Sequence, residues 1–339
     1  MSDGTPAGTA ARTAAHTAAH TAAHTTVRTR EGLWYGLAAY GWWGLVPLYF
    51  KALDGIEPFE ILSHRIVWSV VFLGILLSVG RRWPQLRACL TSFALLRLFI
   101  ATSILIALNW YFYIYSVATQ QLVQSSLGYF MTPLVNVALG MLFFGERLRR
   151  LQLLALSLAV LGVLVFAIGS GAAPGIALVL AGSFGLYGLL RKSARVDGLV
   201  GLSMETLLLL PPAVGFLVWQ AARGTPAFAH YGWEWDVLLM CSGVVTAVPL
   251  MCFAQAAHRL PLSTLGFLQY LSPSIQFLLA VLAFHEDFAM EKAIAFGCIW
   301  LALAVFSLDA VRRYQASAAP AVLAQGLGPE ALGDDAAPV

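Results

Sequence analysis

The chain has 339 residues, of which 59% are hydrophobic and 11% are charged, with a formal net charge of +3 and a mean hydropathy of +0.77. Soluble domains carry roughly a quarter charged residues, so a chain this poor in charge cannot cover a water-facing surface and must have lipid as its main solvent. The small net charge gives no reason to expect a nucleic-acid partner.

The first thirty residues lack the apolar stretch of a cleaved signal peptide and are predicted to be a disordered cytoplasmic tail. They contain TAAHTAAHTAAH, which places His16, His20 and His24 at i, i+4 spacing. On a helix these imidazoles could bind a metal ion, but a low-complexity tail is the favoured interpretation. A second tail is predicted over 314–339, where Ala, Pro and Gly predominate from about Gln315 onward. The four cysteines show no metal-ligand spacing, so neither a metal nor a cofactor is predicted.

Ten membrane-spanning helices are predicted between the tails, since each needs about 20 mostly apolar residues. Polar stretches at 119–124 and 169–175 divide the two longest apolar regions. The predicted spans are 32–50, 59–80, two within 98–145, two within 151–190, 202–222, 237–257, 260–284 and 290–311.

The distribution of basic residues predicts the orientation of these spans. With both termini in the cytoplasm, fifteen of the 20 Lys and Arg residues fall on the inner side, against three, Lys51, Arg223 and Lys292, outside. This asymmetry follows the positive-inside rule and depends on the alternation of all ten spans.

An internal repeat is predicted, with one half over 31–170 and the other over 171–313. Pro133 precedes Glu146 by thirteen residues in the fourth span, and Pro273 precedes Glu286 by thirteen in the ninth. Lys51 and Lys192 end similar motifs, WWGLVPLYFK and SFGLYGLLRK. A duplicated unit of five helices must enter the membrane in the opposite direction the second time, as in many secondary transporters. Two unrelated halves with shared compositional biases are the alternative.

Seven dispersed segments resemble the RarD proteins, which belong to the EamA branch of the drug/metabolite transporter superfamily. The segments, which lie between about Glu31 and Arg313, are ILSHRIVWS, LNWYFYIYSV, SLGYFMTPLVN, GERLRR, SFGLYGLLRK, METLLLLP and LSTLGFLQYLSP. The resemblance implies a ten-helix, multi-pass permease of the bacterial plasma membrane with an EamA repeat in each half. It does not imply a particular physiological substrate.

Charges within spans are costly and are candidates for function. Arg65 lies about six residues into the second span, directly after His64. Arg65 could contact an anionic group of the substrate while His64 titrates, or Arg65 could snorkel outward or pair with a helix-end carboxylate such as Glu60. Glu205, the repeat counterpart of Glu60, could couple proton movement or be a structural partner of Arg191 or Arg195.

Polar residues deep within spans form a second group of candidates. Asn109, Asn136 and Gln276 are each predicted either to join helices or to contact substrate, with helix contacts favoured.

Two symmetric spans combine polar residues with helix-weakening ones, a combination that tends to line transport pathways. The polar residues are Tyr129 and Gln269. The predicted helix-break or gating positions are Gly128, Pro133, Pro249, Gly266 and Pro273.

These features predict an all-α permease that moves a small molecule by alternating access, with a cavity between spans 1–4 and 6–9. A membrane-embedded receptor or enzyme is the alternative, but the chain has no HExxH, GxSxG or GxxxxGK[ST] motif. The first span has no internal carboxylate, which argues against simple exchange of cations for protons. The embedded Arg65 favours a zwitterionic, anionic or neutral metabolite. Direction, coupling to protons or ions and oligomeric state are left open.

Overall fold

The structure is a computed structural model, and it describes residues 30–144, 150–169, 174–257, 259–260, 264–265 and 268–326. Within these ranges the regular structure is helical. The predictions for His16, His20, His24, Glu146 and Gly266 lie outside the described residues.

Eleven helices are described in these ranges, one of which ends in a π-helical turn over Leu279–Ala283. They are α1 (30–51), α2 (Pro58–Val79), α3 (Trp83–Thr91), α4 (Phe93–Ala118), α5 (Leu122–Phe144), α6 (Arg150–Gly169), α7 (Gly175–Ala194), α8 (Gly198–Ala222), α9 (Trp233–Ala257), α10 (Leu271–Leu278) and α11 (Met290–Gly326).

Seven of the described helices are long and apolar enough to cross a membrane, namely α2, α4, α5, α6, α8, α9 and the part of α11 that ends at Asp309. The apolar segments Gly175–Arg191 and Leu271–Ala283 are shorter. The prediction of an all-helical membrane protein is therefore confirmed over the described residues, while the count of ten spans stays a prediction. The sequence analysis did not distinguish α3, which is a short helix between the second and third predicted spans.

The described residues form two compact units, and the first combines those up to 132 with those between 175 and 288. In this unit α2 packs against α8 and α9, and α4 packs against α7 and α8. Close approach depends on glycine where two helices meet backbone to backbone. A Cβ on Gly128 of α5 would lie 2.7 Å from the carbonyl oxygen of Ala177 in α7, and one on Gly243 of α9 would clash with the carbonyl of Trp68 in α2.

The second unit, formed by the described residues between 133 and 174 and from 289 onward, contains α6 packed against α11. Ala155, Ala159 and Gly162 form one buried face of α6, and a Cβ on Gly162 would lie 3.0 Å from the carbonyl oxygen of Ala295. This small-residue face is typical of close helix packing in membranes.

The last helix extends beyond the boundary predicted at 313. It continues to Gly326 through the segment YQASAAPAVLAQ, in which a disordered tail was expected. Ala, Leu and Gln, which make up most of this segment, have high helix propensity, whereas Pro320 within it disfavours a helix interior.

Candidate functional site

Arg65 lies on α2 and faces residues of α1, α4 and α9. Its Nε donates a hydrogen bond of 2.8 Å to Oγ1 of Thr246, which is buried on α9. The guanidinium carbon lies 4.2 Å from the ring centroid of Trp110 on α4 and 5.8 Å from that of Phe50 on α1. The side chain therefore packs among neighbouring helices and does not snorkel outward.

Three tyrosines lie near the guanidinium. The phenol groups of Tyr49, Tyr113 and Tyr129 are its electrostatic neighbours. Tyr113 is only 6% exposed, and its ring meets those of Phe50 and Tyr129 edge-on at 6.0 and 5.8 Å. Within the described part of the chain, its buried hydroxyl has no hydrogen-bond partner.

Asn109 connects this cluster to α7. Its Nδ2 donates to the carbonyl oxygen of Leu180 and to Oγ of Ser183, both at 3.1 Å, and its Oδ1 accepts from the Tyr129 hydroxyl at 3.0 Å. Asn109 thus links α4 with α5 and α7, as a helix-joining amide does, and also positions a tyrosine beside Arg65.

The charge of Arg65 has no neutralising partner among the described residues, since the four ion pairs there involve other basic residues. An arginine at the centre of a membrane helix costs at least ~2.5–3.5 kcal/mol. A desolvated contact with Trp110 contributes ~2 kcal/mol, and a hydrogen bond to a neutral hydroxyl about 1 kcal/mol. Together these contacts contribute about 3 kcal/mol, which is comparable with that minimum cost, but they supply no counter-ion for the charge.

The predicted alternative of a pair between Arg65 and Glu60 is wrong. Oε1 of Glu60 accepts from the backbone N–H of Ala227 at 2.6 Å, and Oε2 accepts from Nε2 of Gln220 at 3.0 Å. Glu60 lies in the first turn of α2, so it reaches the α8–α9 loop, whereas Arg65 lies further along the helix.

His64 is buried next to that loop. Its ring stacks on Phe228 with a centroid distance of 5.3 Å and an interplanar angle of 26°, and Phe228 lies 6.4 Å from the ring of Trp68. The loop residue Phe228 therefore covers the imidazole beside Arg65.

Glu205 on α8 contacts Arg191 and Tyr187 on α7, and no ion pair or hydrogen bond of the described residues joins it to Arg65. It forms an ion pair of 3.4 Å with Nε of Arg191 and accepts a hydrogen bond of 3.1 Å from the Tyr187 hydroxyl. These contacts correspond to its predicted structural role.

The other polar candidates lie at separate places. Gln276 on α10 is buried and donates to the carbonyl oxygen of Trp43 at 3.1 Å and to Oγ of Ser272 at 3.2 Å. Gln269 is partly buried ahead of α10, and Asn136 is exposed on α5.

The three prolines among the predicted helix-break positions occupy different settings. Pro133 and Pro249 lie inside α5 and α9, which are assigned as continuous helices. Pro273 lies in the first turn of α10, where its missing N–H disrupts no helical bond. The irregularity in this region is the π-helical turn that follows α10, and the sequence gives no signal for it.

Arg65, Asn109 and Tyr129 are candidates from the sequence, whereas the partners of Arg65 are not predicted by it. Trp110 and Tyr113 lie in LNWYFYIYSV, where the density of aromatic residues could have suggested them. Thr246 is a single hydroxyl in an apolar span, and nothing in the pattern marks it.

Comparison with known proteins shows which family this chain resembles. Residues 30–168 match the EamA-like transporter family. An uncharacterized transporter of Vibrio cholerae is 47% identical over 284 residues, which cover 84% of this chain and 94% of the relative. Protein RarD of Streptomyces exfoliatus is 46% identical over 301 residues, which cover 87% of this chain and 96% of the relative. One protein of known crystal structure, 21% identical, shares the fold with a TM-score of 0.52 over 82% of this chain and 97% of its own.

Proposed function

The chain belongs to the RarD group of EamA-like transporters and is a bacterial membrane transporter, and from this premise we propose that it moves a small metabolite or drug by alternating access. The transporter would be of the secondary type, with ten spans, and would lie in the plasma membrane. The observation that carries this proposal is Arg65, a charged side chain that faces α1, α4 and α9 inside a helix bundle. Polar side chains placed in this way are typical of substrate pathways.

The packing in the first unit supports two inverted repeats, 31–170 and 171–313. The repeat relates α1 to α7, α4 to α9 and α5 to α10. Each contact between two of these helices should therefore have a counterpart between the two helices that the repeat relates to them. The pair α4–α7 corresponds to α1–α9, which the Tyr49 hydroxyl joins by donating to the Leu238 carbonyl oxygen at 2.6 Å. The approach of Gly128 to Ala177 corresponds to that of Gly44 to Ile275, where a Cβ on Gly44 would lie 2.7 Å from a side-chain carbon.

Two ion pairs support the ten-span topology, because each joins residues that this topology places on the same side of the membrane. Arg82 and Asp197 lie 2.9 Å apart and Arg259 and Glu31 lie 3.5 Å apart, and the ten-span topology assigns all four residues to the inner side. Membrane-impermeant maleimide tests this arrangement in a variant whose four native cysteines are replaced by serine. A cysteine introduced at Asp54 should be labelled in intact cells, and one at Asp197 only after lysis. Labelling of both positions in intact cells would contradict the orientation.

Transport itself is tested by untargeted metabolite and drug-accumulation profiling. Cells that lack the protein are compared with cells that overexpress it as wild type, Arg65→Ala or Arg223→Ala. Arg223 is a matched control, since it also lies 4.2 Å from a tryptophan ring, that of Trp219, but at an exposed helix end. We expect one class of compound to change with wild type and Arg223→Ala but not with Arg65→Ala. If no compound changes under several growth conditions, the proposal fails, and a membrane receptor or an enzyme becomes the better explanation.

A further inference from the structure

Resting on the proposed transport function, we propose that Arg65 binds the carboxylate of the transported molecule. The substrate class is then a small organic carboxylate, anionic or zwitterionic, with an apolar or aromatic body. Four features of the site lead to this class: an uncompensated charge, unused donors, a second unpartnered polar group and a wall of aromatic rings.

Arg65 has neither a counter-ion nor partners for all of its N–H donors among the described residues. Arg82, Arg191 and Arg259 each have a carboxylate partner, whereas Arg65 has none among the described residues. Only its Nε donates a hydrogen bond within that part of the chain, so the N–H groups of Nη1 and Nη2 are available. Arg65 is partly buried inside the helix bundle, and a cation in such a place with unused donors is stabilised when an anion joins it.

The orientation of the guanidinium selects the kind of anion. Thr246 occupies Nε and the ring of Trp110 lies 4.2 Å from the guanidinium carbon. The edge formed by Nη1 and Nη2 remains, and two parallel N–H groups match the two oxygens of a carboxylate. A spherical ion such as chloride has no pair of oxygens and cannot match the two N–H groups in this bidentate way.

Tyr113 supplies the second polar group. Its hydroxyl is buried without a partner in the described part of the chain, and buried polar groups are normally hydrogen-bonded. Tyr113 is an electrostatic neighbour of Arg65, and both residues contact Phe50. A carboxylate on Arg65 could therefore also accept from this hydroxyl.

The remaining walls of the site are aromatic. Phe50 is buried and meets the ring of Tyr49 at 5.2 Å, and Trp110 is also buried. Such rings favour an apolar or aromatic body attached to the carboxylate.

The test measures binding to the purified full chain by isothermal titration calorimetry, with benzoate, benzamide and chloride as probes. Benzamide matches benzoate in shape but carries no charge, and chloride carries charge without the bidentate geometry. We expect wild type to bind benzoate and neither of the other two at similar concentrations. Arg65→Gln should raise the dissociation constant for benzoate on the order of 100-fold, since it removes two charge-assisted hydrogen bonds. Arg223→Gln should leave it unchanged.

Tyr113→Phe keeps the inference testable if Arg65→Gln does not fold. It removes one oxygen that has no partner, so the thermal unfolding temperature should not fall, while benzoate should bind roughly tenfold more weakly. Equal binding of benzoate and benzamide, or unchanged benzoate binding in both variants, would overturn the inference. Chloride binding that equals benzoate binding would assign the site to inorganic anions and would also overturn it. The accumulation assay tests transport independently of this inference. A transporter of neutral compounds would change accumulation in that assay but would not bind benzoate in the calorimetric test.

Discussion

The contact between Glu60 and the α8–α9 loop leads to a prediction about local opening. Glu60 accepts from the backbone N–H of Ala227 at 2.6 Å and from Gln220 at 3.0 Å, and Gln220 in turn accepts from the Thr225 hydroxyl at 2.9 Å. These bonds hold the loop that carries Phe228 against His64. We predict that Glu60→Gln loosens this loop without unfolding the bundle.

The magnitude follows from the kinds of hydrogen bond involved. A hydrogen bond to a charged group contributes ~1.5–3 kcal/mol, and one between neutral groups ~0.5–1.5 kcal/mol. The amide oxygen of Glu60→Gln can still accept from Ala227, but its NH₂ group meets the NH₂ group of Gln220. The closed loop should therefore lose about 1–2 kcal/mol, which corresponds to a roughly 5- to 30-fold larger open population.

Amide hydrogen exchange followed by mass spectrometry measures this population, because local opening controls exchange of a protected N–H. Peptides that contain Ala227 should exchange roughly 5- to 30-fold faster in Glu60→Gln, while peptides from α4 should not change. Glu57→Gln is the control, since Glu57 is exposed and contacts Gln220 only at 3.5 Å. If exchange at Ala227 is the same in wild type and Glu60→Gln, Glu60 does not hold the loop and the reasoning is wrong.

Three further changes test the packing around the site, each by the free energy of unfolding in mixed micelles. Asn109→Leu removes three interhelical hydrogen bonds, which average ~0.6 kcal/mol each in membranes, so a loss of about 2 kcal/mol is expected; a gain in stability would contradict the linking role. Gly128→Ala places a methyl group 2.7 Å from a backbone oxygen and should cost about 1–3 kcal/mol. Its control Gly182→Ala, with open space around it, should be neutral or stabilising, and equal effects of the two would argue against the close α5–α7 contact. Glu286→Ala removes an acceptor of the Leu122 and Val123 N–H groups, at 2.6 and 2.9 Å, from the start of α5 and should cost about 0.5–2 kcal/mol as a lost helix cap; an unchanged stability would show that this cap is not needed.

Sequence reasoning predicted the parts of the structure that depend on local composition. A charge within an apolar stretch marks Arg65 whatever surrounds it, and apolar stretches of about 20 residues mark helices that can cross a membrane. Both arguments need only residues close together in the chain.

The partners of these residues could not be predicted in the same way. Thr246 is 181 positions from Arg65 and Ala227 is 167 positions from Glu60. One sequence carries no pairing signal over such separations, so the protein partner predicted for Arg65 was a carboxylate close to it in the chain, such as Glu60. Tertiary packing directs the two side chains to different helices.

Comparison of Arg65 with Arg191 shows why charge within a span does not identify a site by itself. Both guanidinium groups lie against aromatic rings, Arg65 at 4.2 Å from Trp110 and Arg191 at 5.2 Å from Phe99. Arg191 also has the buried carboxylate of Glu205 at 3.4 Å and donates to the carbonyl oxygen of Asp197 at 3.2 Å. Its charge and donors are used within the protein, so a ligand would have to displace an existing ion pair. Arg65 has a similar aromatic contact but no carboxylate partner among the described residues. A substrate carboxylate would therefore bind more favourably at Arg65 than at Arg191, because it displaces no existing ion pair.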